Sequence, residues 1–394
     1  MSVKIAILTA TRAEYGLLKT LYDKLIEVDK FNVSMLVTGM HLLKEYGYTV
    51  EEIEKDNINI DIKIPISISC KDPNGVCCAM AETLKAFSEY FSENRYDLLI
   101  VLGDRYETLS VCIAAMNHQI PIAHIHGGET TEGAIDEAIR HSITKMSYFH
   151  FTSMERYRER VIQLGENPNR VFCVGALGVE NALKTPLLSK EALEKSLDFK
   201  LDNQFALVTY HPVTLERESV YNQLKELLNA LDNFPDMKFI ITKSNADSGG
   251  EEVNNIIEEY SKRRNNVLCI SSLGSVRYLS ALKYCDVVIG NSSSGIIEAP
   301  SFGVPTINIG DRQKGREQAK TVYNVSVNGS EIVNMIKFVL TDEERKKVKS
   351  VQNPYGCKDT SNKIVEILKT ELIDSKIDLK KKFFDINTEE ENIK

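Results

Sequence analysis

Three carboxylates and one histidine stand where a strand would hand its side chains to a ligand. Asp104 follows the apolar run LLIVLG, and Glu129 follows IPIAHIHGG. Asp136 opens the helical pattern IDEAIRHSITKMS, and His211 ends the run FALVTY, where Pro212 stops the ladder. Carboxylates gathered in one cleft repel one another, so at least one of the three is expected to rise towards neutrality. A raised carboxyl beside an ordinary one supplies a general acid and a general base. Plainer readings compete. Asp136 also suits a helix start favoured by the dipole, or an i,i+4 partner of Arg140. A lone histidine is more often structural than catalytic, but His211 sits at the first strand end of its half, facing the carboxylates.

A second set suits a phosphate. CDVVIG (285–290) reads as a short buried strand ended by Gly290, followed by the polar turn Asn291-Ser292-Ser293-Ser294. Ser and Asn there are N-cap types, so a helix is expected to begin with its free N–H groups turned to an anion. Glu298 lies about one turn in, where a carboxylate can accept hydrogen bonds from ribose hydroxyls. Arg312 and Arg316 follow the strand TINIG as partners for a diphosphate, Arg12 sits in the turn TATRAEYG, and Arg105 adjoins Asp104. The polar loop 243–252, KSNADSGGEE, is expected to line the same cleft.

Several chemistries are argued against. The first strand lacks the GxGxxG of a dinucleotide site. GDRQKGRE has P-loop-like spacing, yet it places Arg for the lysine and Glu for the Ser/Thr. His124 and His126 share one strand face, but a catalytic zinc wants a third ligand and an open position. His141, on a helix, is the nearby candidate, so both histidines are read as satisfied strand-end side chains. No metal and no cofactor are expected.

What positions these residues is an alternation of apolar runs and helical patterns throughout the 394 residues. VKIAILTA, VSMLVTG, DLLIVLGD, IPIAHIHGG, YFHFTS and RVFCVGA form one strand series; FALVTY, KFIITKS, VLCISS, CDVVIG and TINIG form another. That order predicts an α/β fold of two doubly wound Rossmann-like domains, with ligands beyond the carboxyl ends of the strands and a cleft where the two sets of ends meet. The expected divisions are 1–174, carrying the carboxylates, 175–362, binding the nucleotide, and 363–394, a final helix crossing back to the first domain with a mobile tail.

Composition sets further bounds. Charged residues make up 26%, and the net charge of −8 speaks against nucleic-acid or anionic-membrane partners. Eight scattered cysteines without a CxxC pair read as reduced core thiols. With no signal peptide and no membrane-length apolar run, a cytoplasmic protein is expected.

TATRAEYG, LGDRYET, HIHGGETTEGAIDEAIRHSITK, YHPVT and GNSSSGIIEAPSFGVPTINIGDRQKGRE, in this order, resemble the hydrolysing UDP-N-acetylglucosamine 2-epimerases of sialic and related nonulosonic acid synthesis. Non-hydrolysing relatives tend to carry GTRPE, GDTTT and EAGLR at the corresponding places. The resemblance spans about residues 3 to 375 and implies a glycosyltransferase-B fold, a nucleotide-sugar substrate and a homodimer or homotetramer. It further implies that UDP leaves through a 2-acetamidoglucal, with Asp104, Glu129, Asp136 and His211 moving protons. Arg12, Arg105, Ser292, Ser293, Glu298 and Arg312 would hold UDP. A UDP- or GDP-linked 2,4-diacetamido-2,4,6-trideoxy sugar is an alternative substrate. A glycosyltransferase and a non-catalytic nucleotide-sugar-binding protein are alternatives of other classes.

Overall fold

The computed structural model describes residues 2–67, 72–132, 134–201, 204–212, 220–244, 250–356, 358–373 and 377–386. The first lobe runs β1 (Val3–Thr9), α1 (Arg12–Leu25), β2 (Phe31–Thr38), α2 (Val50–Lys55), β3 (Ile60–Ile64), α3 (Pro73–Glu93), β4 (Leu98–Leu102), α4 (Tyr106–Asn117) and β5 (Ile122–Ile125). It continues through α5 (Asp136–Met146), β6 (Phe149–Thr152), α6 (Glu155–Gln163) and β7 (Val171–Cys173), and α7 (Leu177–Lys184) follows between the lobes. The second lobe begins with α8 (Lys190–Leu197), whose Leu193 and Leu197 join its core, then β8 (Phe205–Thr209), α9 (Val220–Leu231), β9 (Lys238–Thr242), α10 (Gly250–Ser261), β10 (Val267–Ile270), α11 (Gly274–Tyr284) and β11 (Val287–Gly290). After it come α12 (Ser294–Ile297), β12 (Thr306–Ile309), β13 (Val322–Val325), α13 (Gly329–Val339), α14 (Asp342–Val348) and α15 (Thr360–Ile373).

Among the described residues the strands form two parallel sheets, ordered β3-β2-β1-β4-β5-β6-β7 and β10-β9-β8-β11-β12-β13. Central strands such as β4, LLIVL, are buried at every position, which is why they read as unbroken apolar runs. Chain direction across each sheet reverses beside its first strand, between β1 and β4 and again between β8 and β11. Crevices open at such switch points. There the loops carrying Arg12, Asp104, His211 and Ser292 emerge. In the second sheet the close approach is strict: a Cβ on Gly290, at φ +131°, would fall 1.9 Å from the Thr209 carbonyl oxygen.

Helix α1 begins on a capping box, in which Thr11 Oγ1 accepts from the Glu14 N–H at 3.4 Å while Glu14 Oε2 accepts from the Thr11 N–H at 3.0 Å. α15 returns to the first lobe, where Ile364, Val365 and Leu368 join the core beneath β1 and β2. Beyond it, the Phe384 N–H donates to the Gly165 carbonyl at 3.0 Å, and Lys381 Nζ reaches Glu166 at 2.6 Å. The chain therefore lies against the first lobe at least as far as Phe384; of the last ten or so residues, which were expected to be mobile, 387–394 fall outside the described set.

Core thiols were expected throughout, but Cys77, Cys78 and Cys173 are exposed; Cys112 and Cys285 are buried. They sit on α3 and on the edge strand β7, where one face meets solvent. Among the described residues no helix is long and apolar enough to cross a membrane.

Candidate active site

A cavity of about 380 Å³ lies between the lobes. Its first-lobe wall includes Thr11, Arg12 and Gly16 with Met40, Tyr46 and Thr49; its second-lobe wall includes His211, Ser244, Ser292, Ser293, Glu298 and Arg312. That size suits a small polar ligand. Of the expected loop 243–252, Lys243 and Ser244 line the cavity, while 245–249 lie outside the described residues.

His211 and Arg312 are fixed by their neighbours. The His211 N–H donates to Asn291 Oδ1 at 2.7 Å, Asn291 Nδ2 returns a bond to the His211 carbonyl at 2.8 Å, and the His211 ring Nδ1 lies 3.0 Å from Ser244 Oγ. Those bonds clip the ends of β8 and β11 together and hold the imidazole at the cleft. Arg312 donates to the Asn291 carbonyl at 3.1 Å. Ser292 and Ser293 reach the wall, but the helix expected behind them is a single turn, α12, that continues as a 3-10 turn over Ala299–Phe302. Ser293 occupies the N-cap position in helical conformation without a capping bond. The anion-binding power of this segment therefore lies in its hydroxyls and nearby Arg312, and little of it in a helix dipole.

Glu298 is half-buried, and desolvation pushes its carboxyl up to about 7, with Ser294 opposing. Its Oε2 meets no hydrogen-bond partner. A buried, unpaired acceptor facing a cavity is what a hydroxyl-bearing ligand would satisfy.

The acids of the first lobe lie behind this wall, not on it. Arg140 of α5 is fully buried at the centre of their network. Its Nη2 pairs with Asp104 and donates to Thr131 Oγ1 at 2.8 Å, and its Nη1 donates to the Glu129 carbonyl at 2.9 Å and to Glu137 Oε2 at 2.7 Å. Burial works to raise the Asp104 carboxyl, yet Arg140 and then Arg316 outweigh it and hold it below its ordinary value. Glu129 follows the same pattern: burial raises it, and Arg316, then His126 and Arg140, bring it below. The expected rise among Asp104, Glu129 and Asp136 is thus overturned for Asp104 and Glu129, because arginines interleave with the acids instead of leaving them to repel. Asp136 is half-buried at the first position of α5, and Arg140 takes Glu137 at i,i+3 as its helical partner.

Two cations depart from their expected places. Arg105 donates to Glu107 at 3.1 and 3.2 Å, and Arg316 pairs with Glu129 at 2.9 Å. Both were expected on a diphosphate; in each case a buried carboxylate, 0% and 2% exposed, demands the charge first. The wall and the acid network meet at one loop: Arg312 lines the cavity, and its charge also lowers Asp104.

Reasoning from the sequence missed Arg140, Glu137 and His126. His124 is satisfied as expected, between Thr144 Oγ1 at 3.2 Å and the Gly103 carbonyl at 2.8 Å. His126 is not. Its Nδ1 stands 3.5 Å from Glu129 Oε1, its Nε2 is buried without a hydrogen-bond partner, and its backbone lies at φ +67°. Strain of this kind concentrates at functional sites. Glu137 accepts from the Thr131 N–H at 2.6 Å and from Thr130 Oγ1 at 2.8 Å, tying down the loop after Glu129.

Residues 23–369 match the family model described as UDP-N-acetylglucosamine 2-epimerase. The chain belongs to that family. It is 44% identical over 384 residues to polysialic acid biosynthesis protein P7 of Escherichia coli, covering 97% of each chain. It is 43% identical over 326 residues to the hydrolyzing GDP/UDP-N,N'-diacetylbacillosamine 2-epimerase of Campylobacter jejuni, covering 82% of this chain and 85% of that one. Among solved structures, the UDP-GlcNAc 2-epimerase of Neisseria meningitidis bound to UDP-GlcNAc superposes with a TM-score of 0.78 at 19% identity, over 94% of this chain and 100% of that one. The family's glycosyltransferase-B architecture is the one described above, and the chain is an epimerase-family enzyme.

Proposed function

We propose that this enzyme hydrolyses UDP-N-acetylglucosamine with inversion at C2, releasing N-acetylmannosamine and UDP. A base takes the C2 proton as the C1–O bond to UDP breaks, leaving a 2-acetamidoglucal. Water then adds across the double bond, its hydroxyl to C1 and a proton to the opposite face of C2. Leaving-group charge develops on the diphosphate, so Arg12, Arg312, Ser292 and Ser293 would anchor it most strongly in the transition state. Glu298 would take the ribose hydroxyls. Asp104, Glu129, Asp136 and His211 would handle the protons. Arg105 is left out of the set, since its guanidinium serves Glu107.

The observation that carries this reading is the shared cavity, with His211, Arg12 and Arg312 on its wall and ionised Asp104 and Glu129 behind the Arg312 loop. A second reading, the same reaction on a UDP- or GDP-linked 2,4-diacetamido-2,4,6-trideoxy sugar, is favoured by the 43% identity to the Campylobacter jejuni enzyme. NMR of the products from each nucleotide sugar, without an acceptor and in deuterated water, decides between them. The expected result is free 2-epimeric sugar with deuterium at C2. Tight UDP binding without turnover of either substrate would establish a binding protein, and turnover only with an acceptor a glycosyltransferase.

A further inference from the structure

Arg316 comes from the second lobe, but its guanidinium serves the first. Its Nη1 stands 2.9 Å from Glu129 Oε2, and the two side chains are 8% and 2% exposed. The segment carrying it is docked on both sides of the arginine. The Lys314 carbonyl accepts from the Glu132 N–H at 3.3 Å, the Glu317 N–H donates to the Tyr157 hydroxyl at 3.1 Å, and the Tyr355 hydroxyl donates to the Glu317 carbonyl at 2.8 Å. Gly315, at φ +83°, leaves no space for a side chain: a Cβ there would meet Thr130 Cγ2 at 2.8 Å and Glu132 Oε1 at 2.9 Å.

On its own lobe Glu129 has weaker support. Ser153 Oγ donates at 2.9 Å, and His126, whose burial works against its charge, stands 3.5 Å away. The titratable groups facing Glu129 are His126, Arg140, Arg316, Tyr157, Tyr355 and Glu298. Arg140 meets its backbone carbonyl, so Arg316 is the cation that pairs with the carboxylate itself. A buried carboxylate without such a partner takes up a proton.

We propose that Arg316 is a positioning residue through which the second lobe keeps Glu129 charged and aimed, so that proton transfer runs only while the 314–317 segment is seated on the first lobe. This inference rests on the reading above that Glu129 handles a substrate proton. With the segment lifted, Glu129 loses the cation that pairs with its carboxylate, and the acid network is disarmed. Chemistry is thereby made conditional on contact between the lobes.

The test compares the full-length enzyme with Arg316→Gln, Arg316→Lys and Gly315→Ala, in kcat against pH, UDP affinity by calorimetry, and melting temperature from pH 4.5 to 8. Arg316→Gln is expected to lower kcat at neutral pH about 100-fold and to move its acid limb up by about a unit or more, with UDP affinity held within about threefold. Arg316→Lys, which keeps a charge, should recover most of the limb; Gly315→Ala should reproduce part of the Gln effect. An acid limb that stays in place in Arg316→Gln, or a loss of UDP affinity matching the loss of kcat, overturns the proposal. The melting curves decide independently of turnover, and so separate this inference from the reading it rests on. Glu129, held low by Arg316, contributes stability above its ordinary value that is lost as pH falls; once raised, it contributes stability that is lost as pH climbs. Should the wild type turn over no nucleotide sugar, a melting temperature that falls with pH in Arg316→Gln relative to wild type still supports the ion-pair role, and parallel curves overturn it.

Discussion

The cavity wall and the ion-pair network behind it use the same residue types to opposite ends. On the wall, Glu298 has an oxygen without a partner, and burial pushes its carboxyl up to about 7. In the network, half-buried Asp104 meets Arg140 and buried Glu129 meets Arg316, and both acids are held below their ordinary values. The difference separates two tasks. An acid left unmatched would be completed by a ligand, and acids paired with a cation in advance would hold a fixed charge for chemistry without reorganising when the reaction occurs.

If that division is right, damage to the network should abolish turnover while sparing binding. Glu129→Gln, and likewise Asp136→Asn, is expected to lower kcat by about 10³-fold or more, with UDP affinity within a few fold, as steady-state kinetics and calorimetry would report. Parallel loss of both quantities would mean that network and wall form one structural unit. A smaller effect of the opposite kind belongs to the wall. Glu298→Ala should raise the substrate KM about tenfold and leave kcat within a few fold, the signature of a lost charged hydrogen bond to bound substrate. A collapsed kcat at unchanged KM would move Glu298 from the wall into the network.

Much of this architecture was legible because it follows from local rules. Buried parallel strands announce themselves as apolar runs, and residues just beyond β1, β8, β9, β10 and β11, among them Arg12, His211, Ser244, Ser272 and Ser292, line the cavity. The partners of the acids were not legible. Arg140 looks like a helix-face residue four positions after Asp136, and nothing in the chain between 104 and 140 says that Asp104 will fold onto it. Arg316 and Glu129 are far apart in the chain, and only the meeting of the lobes pairs them. His126 was mistaken because alternation places it beside His124, whereas its left-handed backbone turns it towards Glu129. Glu137 carried a usable signal, three residues before Arg140 and four before His141, that went unused.

Glu14 tests whether being matched or unmatched, rather than being buried, sets the charge of an acid here. It lies beneath the Arg12 turn, 7% exposed, and its Oε2 accepts from the Ala10 N–H at 2.8 Å and the Thr11 N–H at 3.0 Å. Burial pushes it up to about 7, and Arg105, the main opposing charge, is itself paired with Glu107. Since the folded value lies above the ordinary 4.5, the stabilisation from Glu14 is complete below about 4.5 and is lost as pH rises through about 7. The loss amounts to about 3 kcal/mol at most. Glu14→Gln keeps an acceptor for both N–H groups and cannot ionise, so its melting temperature, referred to wild type, should rise between pH 5 and pH 8 by about 5 °C or less. Wild-type and variant curves that remain parallel over that range would show that the two backbone bonds hold Glu14 ionised as firmly as the arginines hold Asp104 and Glu129. Backbone donors would then have to be counted alongside arginines as partners that fix a buried charge.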